Sequence, residues 1–365
     1  MSAMPSVEVD GDALVERLLS GTVTALEMLS VALGDRLGLY TVLREAGPTT
    51  VGELAQRAAI DPRYAREWLE QQAIAGFLTV DDPARDAEER AFTLPEAYVA
   101  ALADRDSLDH LAPLARLVAG VARPMDALVQ AYRTGGGVPW EAYGIDAREG
   151  QASINRPAFL HLLPTEWLGA MPDVVERLRS EPSTIADLGC GGGYACIGMA
   201  RAFPLARVEG YDLDEASVQL ARANVRDAGL DDRIAIHQVD VSEVGLPGRF
   251  DLVTVLEVLH DVAHPVALLA NARDMTADGG AVLVADERVA DTFGAFGDPI
   301  ERLMYGWSVL CCLPAAMTES DSAATGTAMR HATLERYASQ AGFARVEVLP
   351  VENDFFRLYR LHPPP

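Results

Sequence analysis

Two short stretches of the chain concentrate residue types able to do chemistry. The first, "IADLGCGGGYA", runs from Ile185 to Ala195. Its glycines Gly189, Gly191 and Gly193 let a backbone turn tightly and approach a ligand with no side chain between them. If a helix starts at that point, its first free N–H groups face the same ligand. The spacing departs from the dinucleotide fingerprint G-x-G-x-x-G, because Tyr194 stands where the third glycine belongs; starting from Gly191 places Cys196 there instead. The second stretch ends in Leu256-Glu257-Val258-Leu259-His260-Asp261. An imidazole titrates near neutrality and suits removal of a proton from a reacting hydroxyl. His264 is set aside, because it directly precedes Pro265, a residue suited to opening a helix. Between the two stretches, Asp212 closes "VEGYD" 21 residues beyond Gly191. A carboxylate there can accept two hydrogen bonds from a ribose diol, leaving Asp214 to cap the next helix. Asp240, in "HQVDV", stands where an adenine amino group would be met.

Elements able to position these residues are legible around them. Apolar runs predict strands over Thr184–Leu188, Arg207–Tyr211, Ile234–Gln238, Asp251–Leu256 and Ala281–Ala285. Helical patterns fall between, near Tyr194–Ala202, Glu215–Ala228 and Pro265–Met275. Such alternation builds a mostly parallel sheet covered on both faces, an α/β layout whose ligands sit beyond the carboxyl ends of the strands. Near the end of the chain, helix Leu334–Gln340 is followed by strands over Ala344–Leu349 and Phe355–Leu361, with only "PVEND" between them. A parallel crossover needs about a dozen residues, so this pair is an antiparallel hairpin.

The first hundred residues read differently. Residues 1–12 are polar and acidic and are expected to fray. From Leu14 to Glu45 apolar residues recur at helical spacing, up to Gly47-Pro48. A short helix follows in "TTVGELAQRAAI", then another from Pro62 to Gly76. Two strand-like pieces, Phe77–Val80 and Arg90–Leu94, close a winged-helix arrangement. The segment 31–110 carries 15 acids against 8 arginines, the wrong sign for a nucleic-acid reader. Dimerisation is the expected use, with residues 13–105 as that domain, 106–178 a helical connector and substrate cap, and 179–365 the sheet domain.

Composition narrows the function further. The net charge is -24, every basic residue is arginine, and the absence of lysine excludes Schiff-base chemistry and a lysine-dependent phosphate loop. That charge repels nucleic acid and anionic membranes. No apolar stretch runs uninterrupted for the ~18 residues of a membrane span, and the start lacks a secretory pattern. Cys190, Cys196, Cys311 and Cys312 match neither a disulfide framework nor paired zinc ligands, so no metal is expected and a reducing cytoplasm fits.

Taken in order and spacing, "ADLGCGGG", "GYDLD", "HQVDV", "FDLVTVLEVLHDV" and "DGGAVLVAD" resemble S-adenosylmethionine-dependent methyltransferases of class I over residues 184–361. The stretch Asp251–Asp261 looks like plant-type small-molecule O-methyltransferases, which also begin with a winged-helix domain. The resemblance implies a Rossmann-like seven-stranded sheet with the last strand antiparallel. It implies S-adenosylmethionine held by Asp187, Gly189, Gly191, Asp212, Leu213, Asp240, Val241, Leu256 and Glu257. It makes His260 the general base and Asp286, beside Glu287, the acid that orients it, where the family usually has Glu. Val262 stands where a Trp is frequent. Substrate-facing candidates are Tyr143, Asn155 and Arg156 ahead of the sheet, and Met304, Tyr305, Trp307 and Cys311 after its fifth strand. The implied acceptor is a hydroxyl of a small aromatic or polyketide-like metabolite, in a homodimer. Alternatives are N- or C-methylation in the same pocket, a non-catalytic winged-helix regulator that binds S-adenosylmethionine, and a nicotinamide dehydrogenase. The broken glycine fingerprint and the terminal hairpin disfavour the last.

Overall fold

The computed structural model describes residues 10–242, 248–294 and 297–364; residues 1–9 of the polar start lie outside them. Two compact units divide between Ala119 and Gly120, within the stretch expected as a connector. In the first unit the helical run breaks at Gly38, whose φ of 68° favours glycine, giving helices Gly11–Arg36 and Leu39–Ala46. Thr50 and Glu53 form a capping box on helix Val51–Ala58. Asp61 caps helix Pro62–Ile74, with Pro62 in its first turn. The wing strands β1 (Thr79–Val80) and β2 (Phe92–Thr93) pair antiparallel and are shorter than the sequence suggested. The Asp81 carboxylate accepts from the backbone N–H groups of Asp82 and Ala91, so a turn replaces the outer ladder.

Helix Gly11–Arg36 buries only Val31, Ala32 and Gly34, while Leu14, Leu18, Leu26 and Leu33 stay more than half exposed. Its most apolar window reaches a mean hydropathy of 1.2, enough by length and composition alone to cross a membrane. The expectation that no segment qualifies is corrected to that extent. Counting uninterrupted apolar residues missed a helix whose few charges are widely spaced.

The second unit holds a seven-stranded sheet: β3 (Ser183–Leu188), β4 (Ala206–Asp212), β5 (Ile234–Gln238), β6 (Phe250–Leu256), β7 (Thr276–Glu287), β8 (Arg345–Val348) and β9 (Phe356–His362). Their order is β5-β4-β3-β6-β7-β9-β8. The pairs from β5 to β7 are parallel, and β9 runs antiparallel to both of its neighbours. Asn353 tightens the turn before β9, its side-chain oxygen accepting from the N–H groups of Phe355 and Phe356. β3 and β6 are buried on both faces, as continuous Val, Ile and Leu runs require in a covered sheet. Leu252 belongs to the core on one face and Val253 to the core on the other.

Ahead of the sheet, helix Gly144–Pro157 continues into a ten-residue π-helical segment, Ala158–Trp167. Pro157 and Pro164 lack an N–H and cannot close ordinary helical rungs, which favours the wider winding. This segment packs on helix Tyr194–Ala202 so closely that a Cβ on Gly198 would lie 2.1 Å from the Phe159 carbonyl oxygen.

Candidate active site

The glycine loop follows β3 directly. Gly189, Gly191 and Gly193 have φ values of 77°, 50° and 77°, a region that other residues enter only with strain. The N–H groups of Gly189 and Cys190 donate to the Tyr211 carbonyl at 2.8 and 2.9 Å. Asp212, at the end of β4, draws the loop tighter: its Oδ2 accepts from the Gly191 N–H at 2.8 Å and its Oδ1 from the Asp214 N–H at 2.9 Å. Each oxygen keeps a further lone pair, so a ribose diol can still be bound. Asp214 caps helix Glu215–Asp227 through the Ser217 N–H and pairs with Arg148 at 2.7 Å.

The remaining cofactor candidates gather round this loop in different settings. Asp187 lies beneath it, buried, accepting from Thr254 Oγ1 at 2.7 Å and Cys196 Sγ at 3.4 Å. Burial pushes its carboxyl up to about 6. Asp240 closes a local turn through the N–H and hydroxyl of Ser242. Val241 is buried and its carbonyl accepts from Asn271, whereas Leu213 is largely exposed. Leu256 is buried at the end of β6.

One face of helix Gly144–Pro157 lies across the loop. Positions 148, 152 and 156 share that face at helical spacing. Arg148 reaches Asp214, Ala152 meets Gly192, and Arg156 sits 5.0 Å from the centre of the Tyr194 ring. A Cβ on Gly192 would lie 2.7 Å from that of Ala152, so the approach depends on the glycine. Gln151 and Asn155, one turn apart, donate to Glu257 Oε2 at 2.7 and 2.8 Å. Asn155 therefore faces the end of β6; Gln151 and Arg148 went unnoticed in the sequence, where only their repeat at three and four residues marked them.

His260 lies just beyond β6 and is 1% exposed. Its Nδ1 is 2.9 Å from Asp286 Oδ1 and 2.8 Å from Glu287 Oε2, both at the end of β7. Asp286 is thus long enough to reach, and Glu287 shares the contact. On the other side of the ring, Nε2 is 3.2 Å from Asp261 Oδ1. Burial by itself would lower the imidazole pKa, but Asp261, Glu287 and Asp286 together hold it well above its ordinary value. Burial also pushes the Glu287 carboxyl well up and Glu257 to about 7. Donor atoms of His260, Asp286 and Glu287 cluster within 4.8 Å, as do those of His260, Asp261 and Cys312, a spacing able to embrace a cation.

After β7 come helix Pro299–Trp307 and a π-helical turn, Ser308–Cys312. Met304 is buried, and the Tyr305 hydroxyl accepts from Arg330 at 3.0 Å. Tyr143, Trp307 and Cys311 join one apolar cluster, in which the Tyr143 hydroxyl donates to the Leu310 carbonyl at 3.0 Å. That hydroxyl is committed to the main chain. The π turn brings Cys312, which the sequence did not single out, beside His260 and Asp261.

Comparison with known proteins agrees with this layout. Residues 180–340 match the family described as "Methyltransferase domain", and residues 24–104 match the "Rv2258c-like winged HTH domain". A ubiquinone biosynthesis O-methyltransferase of Azotobacter vinelandii is 31% identical over 109 residues, 30% of this chain and 46% of the relative. The chain therefore spans less than half the length of this curated relative. Among solved structures, the mitomycin 7-O-methyltransferase MmcR superposes with a TM-score of 0.66 at 20% identity, covering 97% of this chain and 98% of that one. Human N-acetylserotonin methyltransferase in complex with SAM gives 0.64 at 20% identity, covering 99% and 100%. At such identities the likeness is one of fold.

Proposed function

From the premise that residues 180–340 are a methyltransferase domain, we propose that this protein moves a methyl group from S-adenosylmethionine to a hydroxyl of a small aromatic or polyketide-like metabolite. The observation that carries the reading is the buried His260, backed at Nδ1 by Asp286 and Glu287, just past the carboxyl end of β6 and two residues beyond Val258, whose side chain Gly189 of the glycine loop approaches. The cofactor supplies an electrophilic methyl on a sulfonium. Asp212 accepts the ribose hydroxyls with its spare lone pairs. Gly189 and Gly191 clear the approach, and Asp187 supports the loop from below. Asp240, Val241 and Leu213 frame the adenine end; the backbone of Leu256 and Glu257 borders the methionine end. As the acceptor oxygen bonds to carbon and the C–S bond breaks toward sulfur, His260 takes the hydroxyl proton at Nε2. Asp286 and Glu287 stabilise the imidazolium that results. Met304, Tyr305 and Trp307 border the acceptor, while Tyr143 braces the wall behind it. Placement of the two reactants contributes much of the acceleration, up to ~7–11 kcal/mol for well-aligned groups.

We assign the winged-helix region, residues 13–105, to dimerisation rather than to nucleic acid. The arginines of helix Pro62–Ile74 are paired along that helix, Arg63 with Glu67 at 2.5 Å and Arg66 with Glu70 at 3.1 Å. No basic footprint is left on it. Within 106–178, helix Gly144–Pro157 is the part that caps the site. Four free thiols suit a reducing cytoplasm. The decisive experiment incubates the protein with methyl-labelled S-adenosylmethionine and a panel of phenols, indoles and polyketide-like acceptors, followed by mass spectrometry. O-methylated product is expected. Cofactor binding with no transfer to any acceptor would turn the reading toward a regulator; label on nitrogen or carbon would move the acceptor atom.

A further inference from the structure

We propose that Glu257 selects the acceptor: its free carboxylate oxygen receives a cationic nitrogen, so the substrate is an amine-bearing hydroxyl compound. The proposal rests on the methyl-transfer reading above and narrows its substrate class. Glu257 has a φ of 59°, one of only three positive values among the described residues other than glycine. A side chain of this size occupies that region only when the surroundings hold it there. Those surroundings are visible. The Glu257 N–H donates to the Ala285 carbonyl at 2.8 Å, and Gln151 and Asn155 grip Oε2. The opposite oxygen, Oε1, is buried with no hydrogen-bond partner. Leaving a buried acceptor of this kind unsatisfied is costly, and a ligand donor offsets that cost.

Charge decides what kind of donor fits. Glu257, Asp261, Asp286 and Glu287 surround a single imidazole, and among the described residues no arginine is paired with any of the four. In S-adenosylmethionine the ammonium and carboxylate cancel and the sulfonium adds one positive charge, which together with an imidazolium still leaves the four carboxylates in excess. A protonated amine on the acceptor adds one positive charge and up to three N–H donors, and it meets Glu257 as a charge-assisted pair. Binding of a cation also keeps the Glu257 carboxyl ionised, against the burial that pushes it upward.

The test uses matched probes that differ only in ammonium against hydroxyl: 4-hydroxybenzylamine and 4-hydroxybenzyl alcohol, tyramine and tyrosol, serotonin and 5-hydroxytryptophol. Their binding to the full chain saturated with S-adenosylhomocysteine is measured by calorimetry, in wild type and in Glu257→Gln. At least one ammonium member is expected to bind about tenfold tighter than its partner, with that preference falling to within about threefold in the variant. Equal binding of both members in every wild-type pair overturns the proposal without needing the variant, as does failure of every ammonium member to bind at millimolar concentration. A preference that survives Glu257→Gln also overturns it. A tenfold loss of S-adenosylhomocysteine affinity in the variant assigns the carboxylate to the cofactor's own ammonium, and the proposal falls. Methyl transfer to the neutral members with no preference would leave the function standing and remove only the selection by charge.

Discussion

An imidazole enclosed by carboxylates on both sides is a stronger base than a free one, and this sets how activity depends on acidity. A base must be neutral to take a proton, so with His260 in the proposed role the rate should rise with pH through a pKa raised above the ordinary imidazole value. Asp286→Asn or Glu287→Gln removes one of the charges that favour imidazolium, so each should move the midpoint of a kcat profile downward. Neither should match His260→Ala, expected to lower turnover by roughly 10²–10⁴ while cofactor affinity holds. The acceptor must be a hydroxyl that does not ionise unaided. Wild-type turnover in His260→Ala would end the base assignment in favour of proximity alone. Asp212→Ala should weaken S-adenosylmethionine binding by ~2–4 kcal/mol in calorimetry, because it removes the proposed diol acceptor and also frees the Gly191 N–H that shapes the loop. Asp187 gives a prediction about stability. Its folded pKa of about 6 exceeds the ordinary 3.8, so the folded chain holds that proton more tightly than the unfolded one. The resulting stabilisation is full below the unfolded value and is lost as pH rises through about 6. Asp187→Asn should therefore raise thermal stability by about 2–3 kcal/mol at pH 7.5, with the gain vanishing near pH 4. A gain independent of pH would contradict the buried-carboxylate account.

Elements that announce themselves by local pattern are the ones the sequence made legible. β5 and the helices Tyr194–Ala202 and Pro265–Met275 fall where periodicity placed them, and the reversed final strand followed from a loop too short for a crossover. The winding of Ala158–Trp167 and Ser308–Cys312 was not legible, since a π-helix has nearly the same apolar spacing as an α-helix over so few residues. Within the second of these turns Cys312 comes to lie beside His260 and Asp261. The clamp on Glu257 was hidden for another reason: its donors lie 106 and 102 residues away, and no local signal joins them. Gly198 shows the same dependence on distant partners. Its neighbour across the packing is a backbone carbonyl, which cannot swing aside as a flexible side chain would. Gly198→Ala should therefore displace Ala158–Trp167, speed hydrogen exchange there and cost more than the ~1 kcal/mol that alanine would otherwise gain in a helix. Gly191→Ala is the contrasting case: no atom lies within 4 Å of the added carbon, so only the strain of its positive φ remains.

At the scale of the whole molecule, helix Gly11–Arg36 presents apolar surface that its own chain leaves uncovered. Leu14, Leu18, Leu26, Leu29, Leu33 and Leu37 fall three, four or eight residues apart, on one face of a helix, forming a stripe that stays exposed in the single chain. A contiguous apolar patch of this kind marks an association surface. A net charge of -24 opposes insertion into an anionic bilayer and opposes self-association through long-range repulsion. Salt separates the two. Screening shortens the range of repulsion to ~8 Å at physiological ionic strength, while burial of leucine is little affected. A second copy of this chain should accordingly bind more tightly as salt rises. Light scattering at micromolar concentration should give twice the 39.2 kDa mass of one chain, increasingly so from low to physiological salt. Leu18→Glu combined with Leu26→Glu places two charges in the stripe and should return the mass to that of a single chain with helix content retained. Deletion of residues 1–100 should instead aggregate, since it strips Ala103, Ala112 and Ala115 of the helices that bury them. A wild-type mass of one chain at every salt concentration, or a double variant that remains paired, would contradict the homodimer and assign the stripe to a different partner.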